Sequence, residues 1–149
     1  MAFASWQDSA PARTHVAAAA AAADYQPGAF FKRELPCLLA AIEGSERAFD
    51  VIVIDGYVWL QHGKPGLGWH VYQQLQQRPA VIGVAKSHYA GCDVAVPVLR
   101  GRSRRPLFVT AVGIDLAVAA ANIAAMHGAH RIPTLIKLAD RLARTAPAG

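Results

Sequence analysis

Two runs of β-branched and small apolar residues, 51-VIVI-54 and 80-AVIGVA-85, constrain this chain more than any other feature. Each is too short for a helix and has no polar alternation. Each therefore reads as a strand covered on both faces, the pattern of a parallel sheet between helical layers. Both end abruptly on charge, the first at Asp55-Gly56 and the second at Lys86. In open α/β sheets ligands gather at the carboxyl ends of strands, because loops and helix N-termini converge there. The 55–66 loop that follows Asp55 is glycine-rich and has neither helical nor strand periodicity.

The rest of the chain supplies the layers. Leu35, Leu38, Leu39 and Ile42 recur at helical spacing, predicting a helix over 33–45 with Pro36 in its first turn and Glu34 at its N-terminus, where the helix dipole favours a negative charge. A second helix is predicted over 67–77, ending before Pro79. VPVLR (96–100) and PLFVTAV (106–112) read as two further strands joined by the basic turn 101-GRSRR-105. Helices follow over 116–126 and 134–144. Residues 1–23 are alanine-biased, and a β-hairpin from Ala2 to Ala22 is the reading adopted for them. With 149 residues, 54% hydrophobic and 17% charged, the chain has material for one α/β domain with a buried core.

Charge and cysteine usage narrow the partners. The net charge of +5 and isoelectric point near 9.6 lean toward an anionic partner, though a solvated basic surface is as common. Cys37 and Cys92 have neither CxxC nor zinc spacing and read as reduced thiols of a cytoplasmic protein. No apolar run approaches the roughly 20 residues of a membrane span. The run 100-RGRSRR-105 carries four arginines in six residues; it is either a phosphate clamp or a hairpin tip of solvated charge. The GKPGLG segment lacks the form of a P-loop.

Singly, each polar residue at the strand ends has an ordinary explanation. An Asp-Gly after a strand most often makes a turn, a first-turn glutamate is most often a dipole partner, and a strand-end lysine is most often solvated. Together, Glu34, Asp55 and Lys86 on one edge suit a hard cation and a phosphate, since Mg²⁺ takes one or two carboxylates and fills its other positions with water and substrate oxygens.

The segments 25-YQPGAFFKRELPCLLAA-41, 51-VIVIDG-56, 64-KPGLGWH-70, 81-VIGVAKS-87, 106-PLFVTAVG-113 and 131-RIPTLIKLADRLAR-144, in this order, resemble the endonuclease V family. These are RNase H-like enzymes that nick nucleic acid near deoxyinosine or inosine. The resemblance runs from Tyr25 to the C-terminus. It implies a three-layer α/β/α fold with a mixed, largely parallel central sheet and a shortened N-terminal hairpin, in one domain spanning 1–149 whose first 23 residues diverge. It implies DNA or RNA as partner and Mg²⁺ or Mn²⁺ as cofactor, with Glu34 and Asp55 as metal ligands and Lys86 on the scissile phosphate. Tyr25, Gln26, Pro27 and Gly28 match the wedge that pries strands apart. Gly56, Gly66 and His70 fall where the family lines the pocket for the flipped-out base, and Arg100, Arg102, Arg104 and Arg105 add a basic face.

The chain departs from the family at several positions. The family's first aspartate sits on its first strand in a D-V-x-Y/F pattern. The best match, 3-FASW-6, puts Phe3 in its place; the alternative aligns THVAAAAAAA with the family's third strand and leaves the first two missing. Asp8 or Asp24 replaces that aspartate only by moving. The glycine-histidine pair after the later strand is replaced by Gly113-Ile114, with Asp115 as the nearest substitute acid. The segment between Lys86 and Val98 is short. Three functions follow as expectations: a divergent metal-dependent phosphodiesterase with weakened metal binding, a non-catalytic nucleic-acid binder on the same fold, or an enzyme on a small substrate.

Overall fold

The computed structural model describes residues 1–18 and 30–146, with only the backbone of Phe30. Among the described residues ten elements follow in order: α1 (Phe30–Glu43), β1 (Val51–Asp55), β2 (Trp59–Gln61), β3 (Lys64–Pro65), α2 (Leu67–Gln74), β4 (Ala80–Ala85), β5 (Val96–Val98), β6 (Leu107–Val112), α3 (Leu116–Ala125) and α4 (Thr134–Thr145). Four strands form one sheet in the order β1-β4-β6-β5, and β2 and β3 pair as a separate short ribbon.

The three-layer α/β/α arrangement is the expected one. Side chains alternate across the strands, so Val53, Ile82, Val84, Leu107 and Val109 face one side and Ile54 and Val81 the other. The first side packs against Ala119, Ala120, Ile123 and Met126 from α3 and its C-cap, and Leu135 from α4. The second packs against Val71 and Leu75 at α2, with Leu35, Leu38, Leu39 and Ile42 of α1 outside them. The sheet is mixed: β1 pairs parallel with β4, and β6 runs antiparallel to both β4 and β5. Among the described strands the antiparallel pairings thus outnumber the parallel one, because the 101–105 turn returns β5 directly into β6. β1 lies at an edge of the described sheet, and only Ile54 of its apolar residues is fully buried.

At the centre of β4, Gly83 lets the chain leaving β1 cross over the sheet. A Cβ there would lie 2.5 Å from the Gly56 carbonyl and 2.8 Å from both Thr110 Oγ1 and Val58 N. The room goes to a buried hydrogen bond, Val58 N–H to Thr110 Oγ1 at 2.8 Å. Gly56 adopts φ +138°, a region closed to other residues. These two glycines turn the backbone sharply after Asp55.

Three local expectations are corrected. The first helix begins at Phe30, so Pro36 lies inside it, not in its first turn, and Glu34 sits in its second turn, not at its N-terminus. The apolar stripe on α2 holds this helix despite the missing proline N–H. The helix predicted over 67–77 stops at Gln74. The N-terminal hairpin is reduced, within residues 1–18, to one antiparallel bridge between Ala2 and Arg13; its end, residues 19–22, lies outside the described residues. The intervening segment folds on itself instead, with the Asp8 carboxylate accepting from Ala4 N–H and Ser5 N–H, each at 2.9 Å. Phe3 and Trp6 pack edge to face and lean on the first core cluster.

Candidate active site at the strand ends

Asp55 ends β1 opposite Val84 of the parallel neighbour β4, and Lys86 follows two residues later on the same face. The Lys86 ammonium reaches Asp55 Oδ2 at 3.0 Å and also contacts Asp140 Oδ2. Asp140 comes from α4, which crosses that face. One cation therefore sits between two carboxylates from distant segments. Burial works against the Lys86 charge, but hydrogen bonds and charge attraction from Asp140 and Asp55 outweigh it and raise the lysine above its ordinary range. The Asp55 side chain is 55% exposed and that of Asp140 25%, so the pair remains accessible to ions from solution. Beside it lies a cleft of about 130 Å³, lined by Phe3, Val53, Ile54, Leu135, Ile136 and both carboxylates among others.

Asp140, in the ADRLAR segment at 139–144, is a site residue that the sequence patterns above do not single out. The available signal was periodicity: Leu135, Ile136 and Ala139 mark the face of α4 turned to the sheet, and Asp140 interrupts that face with an acid. The same holds for Arg131. Its Nη2 donates to the carbonyls of Lys86 and of Pro106, the latter at 2.9 Å, and its Nε to that of Arg105 at 3.0 Å. The backbone that presents Lys86 is thereby tied to the β5–β6 turn.

The same edge carries the 56–66 and 87–93 segments. Tyr57 donates its hydroxyl to the Ser87 carbonyl at 2.7 Å and accepts Tyr89 N–H at 2.9 Å, and Lys64 reaches the Tyr89 hydroxyl at 2.9 Å. Gly66 caps α2, and a Cβ there would strike the Tyr57 carbonyl at 2.4 Å. His70 stacks on Phe31 with ring centroids 3.9 Å apart, and burial lowers its pKa, favouring the neutral ring. Gly56 lies in the connection between β1 and β2, Gly66 at the start of α2 and His70 within it.

Other expected residues stand elsewhere. Glu34 is exposed on α1 and makes no hydrogen bond or ion pair among the described residues. No group of three His, Cys, Asp or Glu side chains able to hold a metal occurs among the described residues. The wedge residues Tyr25, Gln26, Pro27 and Gly28, and Asp24, lie outside the described residues. Arg102, Arg104 and Arg105 are exposed at the β5–β6 turn.

Two expectations are corrected by topology and burial. Asp115 does not supply a substitute acid. β6 runs antiparallel to β4, so Val112 pairs with Val81, about 16 Å along β4 from Lys86 at 3.3 Å per strand residue, and Asp115 lies beyond Val112 at that far edge. Its carboxylate caps α3 instead, accepting Val118 N–H at 3.1 Å. Asp115→Ala is expected to cost about 1 kcal/mol in urea unfolding and to leave divalent-cation affinity unchanged. Arg100 is not a surface phosphate clamp. It is 6% exposed, and its guanidinium donates to the carbonyls of His130 at 2.7 Å, Gly128 at 3.1 Å, Arg131 at 3.3 Å and Met126.

Phe3 lines the cleft together with Asp55 and Asp140. Asp8 is held in its own turn, where the Ser5 and Ala4 N–H groups lower its pKa.

Residues 1–141 match the family model described as Endonuclease V. The chain is 30% identical over 154 residues to an endonuclease V of Xanthomonas campestris pv. campestris, covering 89% of this chain and 64% of the relative. It superposes on the crystal structure of the Bacillus subtilis endonuclease V with a TM-score of 0.68 at 25% identity, over 82% of this chain and 61% of that one. The fold also matches, at 20% identity and a TM-score of 0.63 over 82% of this chain and 66% of that one, a Ciona intestinalis endonuclease V (D234N) in complex with a 23mer DNA containing an inosine followed by a ribo-adenosine. The chain spans just under two thirds of the length of the Xanthomonas relative. No helix among the described residues is long and apolar enough to cross a membrane.

Proposed function

Because the chain belongs to the endonuclease V family, we propose that it is a metal-dependent phosphodiesterase acting on DNA or RNA beside deoxyinosine or inosine. The observation that carries this reading is the Lys86 ammonium held between Asp55 and Asp140 at the carboxyl edge of the sheet. A divalent cation fits that donor set: two carboxylates converge on one point already occupied by positive charge, which matches the one or two protein carboxylates that Mg²⁺ takes. In this reading Asp55 and Asp140 would hold the cation, whose other positions water and phosphate oxygens would fill. When bound, Mg²⁺ or Mn²⁺ supplies charge stabilisation to a phosphodiester under attack by water.

The chain's own residues have separable tasks. Lys86 places a cation beside the phosphate, and Arg131 holds the backbone that carries it. Gly56, Gly66 and His70 form the wall that receives an extruded base, with the Tyr57–Ser87–Tyr89 bonds holding the facing loop. Arg102, Arg104 and Arg105 attract the phosphate backbone.

The test is incubation of a duplex containing a single deoxyinosine with Mn²⁺. Wild type is expected to nick it, and Asp55→Ala to be slower by about 100-fold or more, as for loss of a group that positions charge at the reacting centre. Equal nicking by Asp55→Ala contradicts the reading.

A second reading, binding without cleavage, is favoured by one observation: among the described residues no third His, Cys, Asp or Glu joins the two carboxylates in a metal-holding group, and the rest of the cleft beside them, Phe3 included, is lined by apolar side chains. It predicts affinity for the same duplex that falls steeply between 50 and 200 mM salt, with no nicking at any metal concentration.

A further inference from the structure

We propose that Lys86 and a divalent cation compete for one position, so that the metal binds only by expelling the lysine ammonium from between Asp55 and Asp140. This rests on the reading of those carboxylates as a metal-binding pair. Both contacts of the Lys86 nitrogen are to Oδ2 atoms, one of Asp55 and one of Asp140. A divalent cation held by Asp55 and Asp140 would draw on the same oxygens that now hold the nitrogen. Two positive centres cannot share that position, by size or by charge.

The surroundings determine which part moves. The Lys86 carbonyl is tied to Arg131, whose guanidinium also holds Arg105 and Pro106, and the preceding Ala85 is buried in β4. The backbone is therefore fixed, and the four-carbon side chain is the free element. Its swing leaves the ammonium tethered beside the carboxylates and partnerless, which suits it to a phosphate oxygen. Anything that takes the ammonium away then strengthens metal binding, and the coupling is reciprocal. Lys86 on this account is a positioning residue that ties metal loading to arrival of a phosphodiester.

The experiment is Mn²⁺ titration followed by the electron paramagnetic resonance signal of free Mn²⁺, in wild type, Lys86→Met, Lys86→Gln and Asp140→Asn, each checked for folding by circular dichroism. The two lysine variants are expected to bind Mn²⁺ about tenfold more tightly than wild type, within the usual range of coupling between linked sites, and Asp140→Asn more weakly. Lys86→Gln keeps the test valid if Lys86→Met folds poorly. Unchanged or weaker Mn²⁺ affinity in the lysine variants, with Asp140→Asn still weaker than wild type, overturns the competition and leaves the metal site standing. No Mn²⁺ binding by any of the four proteins overturns the carboxylate pair as a metal site, and the competition with it.

Discussion

Arg100→Met is expected to lower stability by about 3 kcal/mol, the scale of losing hydrogen bonds from a buried charged donor and leaving its acceptors unsatisfied. For a chain of this size that is a fall in Tm of about 10 °C. The guanidinium joins the end of β5 to the segment between α3 and α4 by donating to four main-chain carbonyls. Methionine fills the volume without offering a donor to those carbonyls, of which that of buried Met126 has no ready access to water. Burial lowers the Arg100 pKa, but an arginine stays charged at any pH at which the protein folds. The neighbouring exposed residues provide the contrast: Arg102→Ala and Arg104→Ala are expected to shift stability by no more than about 0.5 kcal/mol, while weakening nucleic-acid binding and reducing its salt dependence. Urea unfolding monitored by circular dichroism separates the two classes. An Arg100→Met protein as stable as Arg102→Ala would contradict the assignment of Arg100 to the scaffold.

Asp140→Asn is expected to lose Mn²⁺-dependent nicking of a deoxyinosine duplex by about 100-fold or more, comparable to Asp55→Ala. The substitution keeps the side chain's shape and removes one of the two charges that meet Lys86. The lysine retains Asp55 as a partner, so the fold should survive with a loss of about 1 kcal/mol or less for a partly exposed ion pair. Single-turnover rates beside unfolding curves distinguish a loss of chemistry from a loss of structure. Activity in Asp140→Asn within threefold of wild type would remove α4 from the site.

Much of the architecture was legible because its signals are local. VIVI, AVIGVA and LFVTAV are β-branched runs of strand length, and they became β1, β4 and β6. The alanine-rich and amphipathic segments became α3 and α4 within a residue or so at each end. Asp55 and Lys86 were legible as a pair, since both are polar residues ending buried strands and β1 lies parallel to β4.

What escaped depends on long-range closure. Composition cannot tell the direction of a strand, and the antiparallel course of β6 is what moves Asp115 to the far edge. Asp140 becomes a neighbour of Lys86 only when α4 folds across a sheet edge 54 positions away in sequence. Arg100 looked like its neighbours in a basic run, yet four carbonyls between Met126 and Arg131 take it out of solvent. A buried arginine that satisfies carbonyls and an exposed one that meets phosphates have the same sequence signature.

Where a divalent cation binds is read most directly from an anomalous difference map of crystals of the protein soaked in Mn²⁺. The expected result is a manganese peak bonded to the carboxylates of Asp55 and Asp140, with the Lys86 ammonium turned away from both. A peak at any other site with none between Asp55 and Asp140, or no ordered manganese at saturating concentration, would contradict it.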